Sequence, residues 1–398
     1  MIDKSYVLFT RIQIVKTESG RIFCDPLWAK DLRLHLDYIS DFRICCPVVD
    51  SNDVVGLEDI SEYGIKHYFE LRKDYGLVSV AKNLLPNLIG VIKACKGARI
   101  VHSDGAGWAF PLSFYLLLLK PFFPFQWVIV IESSPWMVNK NEKSNPREFI
   151  SHYVHKVVLS RCLRQADARI FTQTFYRKFF LKDETVRTLI APATWIDKNI
   201  LVSPDIVKKR YLERKAKPLR FIFPARLVED KGVFVLFSAI EYLKDMDVIL
   251  EIAIMGTGEL KADCMKFALN KFGNIKVTYC EPVEYGIEFF TALCSYDVVL
   301  VPNLKEEQPR IIFDAFSQGL GVVASDTSGI LDITVDGENA VISKRGDALS
   351  LAKAICHVAE KPDLVLQMGL RGLDYADGKT HLQMHLDRQR FFSRVLDI

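Results

Sequence analysis

The chain has 398 residues, 49% apolar and 25% charged, enough for two or three domains with cores of their own. Its net charge of +3 gives no electrostatic reason to bind nucleic acid. Nine cysteines, with no CxxC and no zinc-type spacing, read as buried free thiols of a reducing cytoplasm.

The start, MIDKSYVLF, is too short and too polar for a signal peptide. The first half then alternates strand and helix patterns. Strands are predicted over 6–9 and 43–49 with a helix over 26–36 between them, and residues 50–75 read as polar and irregular. A helix over 77–95 is expected to be interrupted at Pro86. A strand over 98–102, a helix over 108–119 and a strand over 127–131 follow. The apolar run 109–131 is broken by Pro111, Lys120, Pro121 and Pro124, which favours this division over a membrane span. Residues 139–146 read as a polar mobile loop, 148–164 as a helix, and 168–172 and 186–190 as strands.

Residues 203–220 gather Lys208, Lys209, Arg210, Arg214, Lys215, Lys217 and Arg220 with little acid. This reads as a solvated helix and linker. The sharper alternative is a basic surface that meets anionic lipid.

The second half repeats the alternation. Strands are predicted over 219–224, 248–254, 274–279, 297–302 and 321–325, and helices over 232–244, 259–271, 285–295, 309–318, 346–359 and 362–372, with an amphipathic helix over 381–396. The expected fold is α/β, two Rossmann-like doubly wound domains facing a central cleft. The predicted division is 1–200 as the first domain, 201–218 as basic linker, 219–375 as the second domain and 376–398 as C-terminal helix.

Two stretches of the second half carry chemistry. In FIFPARLVEDKG (221–232), Arg226 follows a strand and Lys231 comes five residues later at a helix start. Both cations are aimed at the carboxyl end of the strand, where ligands of open α/β sheets bind. Fixed cations there stabilise a departing diphosphate as its charge develops. In EEQPRIIFDAFSQG (306–319), Glu306 lies in a loop and Asp314 in the following helix. A carboxylate accepts two hydroxyl hydrogen bonds at once, which suits a ribose or a sugar. Pro309 fits the first turn of that helix. The backbone N–H groups of Arg310, Ile311 and Ile312 are left open to phosphate oxygens. Gly256 and Gly258, in IMGTG, allow close backbone approach to a ligand. Each feature taken alone has a plain structural explanation.

The ordered set is more specific. R-x4-K, GTG, E-x7-D, AFSQG, GILD (329–332) and DGEN (336–339) together resemble the retaining GT-B glycosyltransferases, in particular family 4, over about residues 219–360. The resemblance implies that residues 219–375 bind the nucleotide sugar and residues 1–200 the acceptor, that Arg226 and Lys231 bind the donor diphosphate, that Glu306 holds sugar hydroxyls and that Asp314 holds the ribose. The chain departs from the family in three places. The second acid is Asp rather than Glu. The usual glycine-rich loop after the first acid is Glu307–Gln308–Pro309–Arg310, with Arg310 an added cation that favours an acidic sugar. The glycine-rich loop expected after the first strand corresponds to Thr17–Arg21, with one glycine. Many members carry a histidine after the strand matched by 127–131, where this chain has Glu132. His102 lies one strand earlier, a second candidate to border the acceptor cleft.

Asp245 and Asp247 form a D-x-D on the wrong edge of the sheet for a metal, so a metal-independent reaction without cofactor is expected. The implied enzyme is a hexosyltransferase-type glycosyltransferase. It would use a nucleotide diphosphate sugar donor and a glycan or lipid-linked acceptor in surface polysaccharide or glycoconjugate synthesis. It would be cytoplasmic, with peripheral membrane contact through the basic linker and no nucleic acid partner. The rival readings are a catalytically weak nucleotide-sugar-binding partner subunit and an NAD(P)-dependent oxidoreductase. The latter is disfavoured because no G-x-G-x-x-G follows an early strand.

Overall fold

The structure is a computed structural model describing residues 1–74, 76–105, 110–134, 136–137, 146–182 and 185–397. It divides into two compact units, Met1–Pro192 with Met384–Ile398, and Ala193–Gln383. The first boundary thus falls at Pro192 rather than at residue 200, and the chain end returns to the first unit.

The first unit holds β1 (Tyr6–Phe9), β2 (Ile14–Lys16), β3 (Ile22–Cys24), β4 (Phe42–Asp50), β5 (Glu58–Asp59), β6 (His67–Leu71), β7 (Ile100–Asp104), β8 (Gln126–Ile131), β9 (Ala168–Phe171) and β10 (Thr188–Ile190). Their order is β10-β9-β8-β7-β1-β4-β2-β3-β5, with β6 also on β4. The pairings are parallel except β2–β3 and β3–β5. β4 is long enough to pair β6 through Arg43–Pro47 and β2 through Val48–Asp50. From β1 the chain builds outward through β4 and β6, then returns to β7 on the other side. The order therefore reverses between β1 and β7.

Helices α1 (Pro26–Leu36), α2 (Leu77–Cys95), α3 (Leu112–Leu119), α4 (Pro146–Gln165) and α5 (Thr174–Leu181) belong to this unit. α1 starts where Asp25 accepts from the N–H groups of Leu27 and Trp28, with Pro26 in the first turn. α2 runs unbroken through Pro86, contrary to expectation. Its neighbour Asn87 is fully buried, and the amide exchanges hydrogen bonds with the backbone N–H and C=O of Arg72, fixing the helix to the loop after β6. Residues 50–75 are not irregular throughout, since they supply β5 and β6. The loop predicted over 139–146 falls outside the described residues up to 145, and Pro146 opens α4.

The second unit has β11 (Leu219–Pro224), β12 (Leu250–Met255), β13 (Ile275–Cys280), β14 (Val298–Val301), β15 (Gly321–Ser325) and β16 (Val341–Ser343) in the order β13-β12-β11-β14-β15-β16, all parallel. β11→β12→β13 runs one way and β14→β15→β16 the other, so the switch lies between β11 and β14. Apolar side chains such as Phe221, Phe223, Ile252 and Leu300 bury one face against α7 (Val233–Lys244) and α12 (Ala348–Glu360), and α8 (Lys261–Ala268), α9 (Ile287–Leu293) and α13 (Pro362–Asp377) belong to the same unit. Ile222, Val299 and Val322 bury the other face with Phe313 and Phe316. These strands are apolar on both faces, as sandwiched parallel sheets require.

The basic stretch is a largely exposed helix, as expected, but it lies inside the second unit rather than linking two units. Residues 204–214 form a helix, α6 (Pro204–Arg214), capped by Ser203, with Val207 buried. Arg210 donates to the carbonyls of Gln318 and Gly319. Arg214 binds Asp297 at 2.9 Å, and Asp297 also accepts the N–H of Arg220 at 2.7 Å. Lys208, Lys209 and Lys215 lie within 4 Å of Asp205, Glu213 and Asp363. Much of the local positive charge is answered by the fold.

Candidate functional site

The two motif stretches occupy the loops on either side of the switch between β11 and β14. That is where the carboxyl ends of neighbouring strands diverge and leave a crevice. The backbone knits the loops together, because Leu304 N–H donates to Asp230 C=O at 2.9 Å. Gly232 makes this possible. Its φ is 82°, and a Cβ there would lie 2.0 Å from Pro302 O.

Gly256 and Gly258 do not stand open toward a ligand. With φ of 150° and 155°, they pack the turn after β12 against the turn after β11. Added Cβ atoms would lie 1.9 Å from Ala225 O and 2.4 Å from Leu227 O. Leu227 N–H donates to Thr257 C=O at 2.8 Å, and Leu260 N–H to Leu227 C=O at 3.0 Å. The glycines thereby fix the backbone on both sides of Arg226, which is exposed and has no acidic partner among the described residues.

Lys231 is half-buried and ion-paired with Glu307. The same Glu307 oxygen accepts from Asn303 Nδ2 at 2.7 Å, and Asn303, itself buried, has its carbonyl held by Ser325 Oγ at 2.6 Å. Glu306 points to a different set of partners. One oxygen meets Arg345 at 2.6 Å and the other accepts Ser328 N–H at 2.7 Å. Ser328 opens the short helix of GILD, α11 (Ser328–Leu331). DGEN is a turn, in which Asp336 accepts from Ile342 N–H and Asn339 from Val335 N–H.

The helix after the acidic loop, α10 (Ile311–Ser317), is short. Ile312 N–H is engaged by Pro309 C=O at 3.2 Å, so it is not open as expected. Ile311 and the exposed Arg310 adjoin it, and the Arg310 guanidinium lies 5.6 Å from the centre of the Trp195 ring. Asp314 is only 5% exposed, and one oxygen accepts from Tyr285 Oη at 2.9 Å. Burial lifts its pKa to about 7 against the lowering effects of Tyr285 and Arg310. It is thus an acid poised near neutrality.

In the first unit, the expectation for His102 is overturned. It is 4% exposed, its Nδ1 is 2.6 Å from Tyr6 Oη, and its ring lies edge-on to Tyr6. It belongs to a buried group with His35, Tyr38 and His385, where α1 and the last helix, α14 (His381–Val395), cover the sheet. Burial lowers its pKa, so it is neutral. Glu132 follows β8 and is exposed. The Thr17–Arg21 loop is the tip of the antiparallel β2–β3 hairpin, not the turn after β1. The turn after β1 holds Arg11, buried and paired with Asp74 at 2.8 Å, with a second bond to Phe110 C=O at 2.7 Å. Asp104 ends β7 across the switch, and burial raises its pKa to about 7. Arg11, Asp74, Asp104, Asn303, Glu307 and Arg345 were not singled out from sequence. Arg11, Glu307 and Arg345 pair with Asp74, Lys231 and Glu306 far along the chain, and no local spacing marks them.

Among the described residues, Asp31, His35 and His385 form one cluster with metal-ligand chemistry. Most of its donor atoms are already engaged, while His35 Nε2 is buried without a hydrogen-bond partner among the described residues. His385 Nε2 lies 2.9 Å from Asp31 Oδ1, His35 Nδ1 lies 3.0 Å from Asp31 C=O, and the charge of Arg388 acts on His385.

Residues 218–361 match the family described as Glycosyl transferases group 1. The amylovoran biosynthesis glycosyltransferase AmsK of Erwinia amylovora is 28% identical over 168 residues, 40% of each chain. The matches span 40% to 62% of the length of three curated relatives. The fold extends further. HepE of Anabaena, in complex with UDP and glucose, aligns over 98% of this chain and 99% of its own, with a TM-score of 0.66 and 14% identity. Sucrose-phosphate synthase of Thermosynechococcus elongatus aligns over 98% of both chains, with a TM-score of 0.71 and 15% identity. The fold is that of the GT-B glycosyltransferases. The group 1 match lies within the unit that holds Arg226, Lys231, Glu306 and Asp314.

Proposed function

We propose that the chain is a retaining, metal-independent glycosyltransferase of family 4. It moves a hexosyl group from a nucleotide diphosphate sugar to a glycan or lipid-linked acceptor in surface polysaccharide synthesis. The observation that carries this reading is the joining of the Arg226–Lys231 loop to the Glu306–Asp314 loop at the β11/β14 switch. Arg226 and Lys231 would take the diphosphate, Glu306 the sugar hydroxyls, and Asp314 the ribose. The acceptor hydroxyl attacks the anomeric carbon from the leaving-group face. The bond from that carbon to the β-phosphate oxygen breaks, a bond to the acceptor oxygen forms, and the departing phosphate takes the acceptor proton. Cations at the diphosphate favour the transition state because negative charge is greatest there. The HepE complexes with UDP, UDP-glucose and glucose support the donor class, and AmsK supports the setting.

The test is thermal stabilisation by UDP, GDP, ADP, CMP and the matching nucleotide sugars, on wild type and Glu306→Ala. Stabilisation by one nucleotide diphosphate, with the added effect of its sugar lost in Glu306→Ala, supports the reading. Stabilisation by none of them removes it. The Lys231–Glu307 pair favours one second reading, a nucleotide-sugar-binding subunit without turnover. Its mark is donor binding with neither transfer nor donor hydrolysis.

A further inference from the structure

α4 is apolar on two opposite sides. His155, Leu159, Cys162 and Leu163 are buried in the first unit. Phe149, Ile150, Tyr153, Val154 and Val157 point outward and are 45% to 63% exposed. At 3.6 residues per turn these five fall within an arc of about 140°. Packing has already used the inner face, so the outer one has no folding role. A continuous apolar strip of this kind marks a surface that meets something else.

Charge selects the partner. Apart from its histidines, the helix has Arg147, Lys156, Arg161 and Arg164 as bases and Glu148 as its one acid. By the same helical geometry Arg161 and Arg164 continue the apolar strip toward the C-terminus. Lys156 and Arg147 flank it, and Glu148 lies on the far side. Lys156 reaches over the ring of Phe179 at 4.6 Å, which holds its charge beside the strip. A second copy of the chain meeting this face symmetrically would set cation against cation. A bilayer with anionic headgroups meets both needs. Its interface takes the apolar side chains, with Tyr153 at headgroup depth, and its phosphates meet the cations. Among the described residues no helix is long and apolar enough to cross a membrane, so the helix would lie in the interface plane.

We propose that the outer face of α4 docks the protein on an anionic membrane surface, and that this contact is made here rather than through the basic stretch of α6. The inference does not depend on the enzymatic reading. The experiment is co-sedimentation of the full chain with vesicles of phosphatidylcholine alone or with added phosphatidylglycerol. The variants are Ile150→Ser/Tyr153→Ser, Arg161→Gln/Arg164→Gln and, as a control on α6, Lys208→Gln/Lys209→Gln. Thermal melting checks that each is folded, and light scattering gives the oligomeric state. Wild type should sediment with phosphatidylglycerol vesicles, and less so at high salt. Each α4 pair should lower the partition coefficient about tenfold, while the α6 pair changes it little. The proposal is overturned by failure to sediment with phosphatidylglycerol vesicles. It is also overturned by loss of binding in the α6 pair alone, or by a dimer that Ile150→Ser/Tyr153→Ser converts to monomer.

Discussion

Lys231 and Glu307 form an ion pair at the crevice between β11 and β14, with Asn303 bonded to the same carboxylate oxygen. A cation meant for a diphosphate is therefore already holding a carboxylate, supplied by the position next to Glu306. Binding of a diphosphate must exchange one anion for another at Lys231. Glu307→Gln should accordingly tighten nucleotide diphosphate binding by several-fold up to about tenfold, the scale of one charge-assisted contact. Isothermal titration at two salt concentrations reads it. An unchanged dissociation constant would mean that the diphosphate does not reach Lys231.

Removal of the cation has the opposite consequence. Lys231→Ala should lower turnover on the order of a hundredfold, as loss of one preorganised charge at a developing oxyanion does. The melting temperature should move little, because the side chain is partly exposed and its partner Glu307 can be solvated. Full turnover in the folded variant removes Lys231 from the reaction.

The parallel strands of the second unit were legible because each is an apolar run between glycine, proline and polar turns. Both motif loops were legible because their residues are close in sequence. β6 was not legible, since its sequence, HYFEL, lies mostly half-buried to exposed and offers no apolar run. α6 is a helix as expected, but its attachment to the second unit was not legible, because its cations are answered by distant acids, Asp297 for Arg214 and Asp363 for Lys215. His102 was misplaced for the same reason, as the helix that covers it arrives nearly at the end of the chain. Gly256 and Gly258 show the reverse error. The need for glycine was read correctly, and the atoms that impose it belong to the neighbouring loop.

Asp314 gives the site a pH signature. Burial raises its folded pKa from 3.8 to about 7, so the folded state holds a proton that the unfolded chain releases. The associated stability is full below about pH 4 and is lost as the pH rises to 7, a change of up to about 4 kcal/mol. Asp314→Asn cannot ionise. Relative to wild type it should therefore gain melting temperature steadily between pH 4 and 7 and hold the gain above. Parallel melting curves would show that Asp314 is not an acid of raised pKa, and that the bond from Tyr285 meets a carboxylate ionised throughout.

His385 carries the opposite sign. Burial lowers its pKa from 6.5 to about 3 despite the bond to Asp31, so the folded state excludes a proton that the unfolded chain accepts. Its stabilising contribution is complete above pH 6.5 and is lost as the pH falls toward 3, about 2 kcal/mol of it by pH 5. The groups facing it are Asp31 and His35 on α1, Tyr38 after α1, and Arg388 on α14. Opening this cluster would free α14 from the first unit. Hydrogen exchange should therefore show α14 losing protection between pH 6.5 and 5 ahead of β1 and β7. His385→Gln can still donate to Asp31 but cannot take up a proton. It should flatten that dependence without loss of stability at pH 7.5. The same acid sensitivity in His385→Gln would assign it to another group and leave His385 as a packing residue alone.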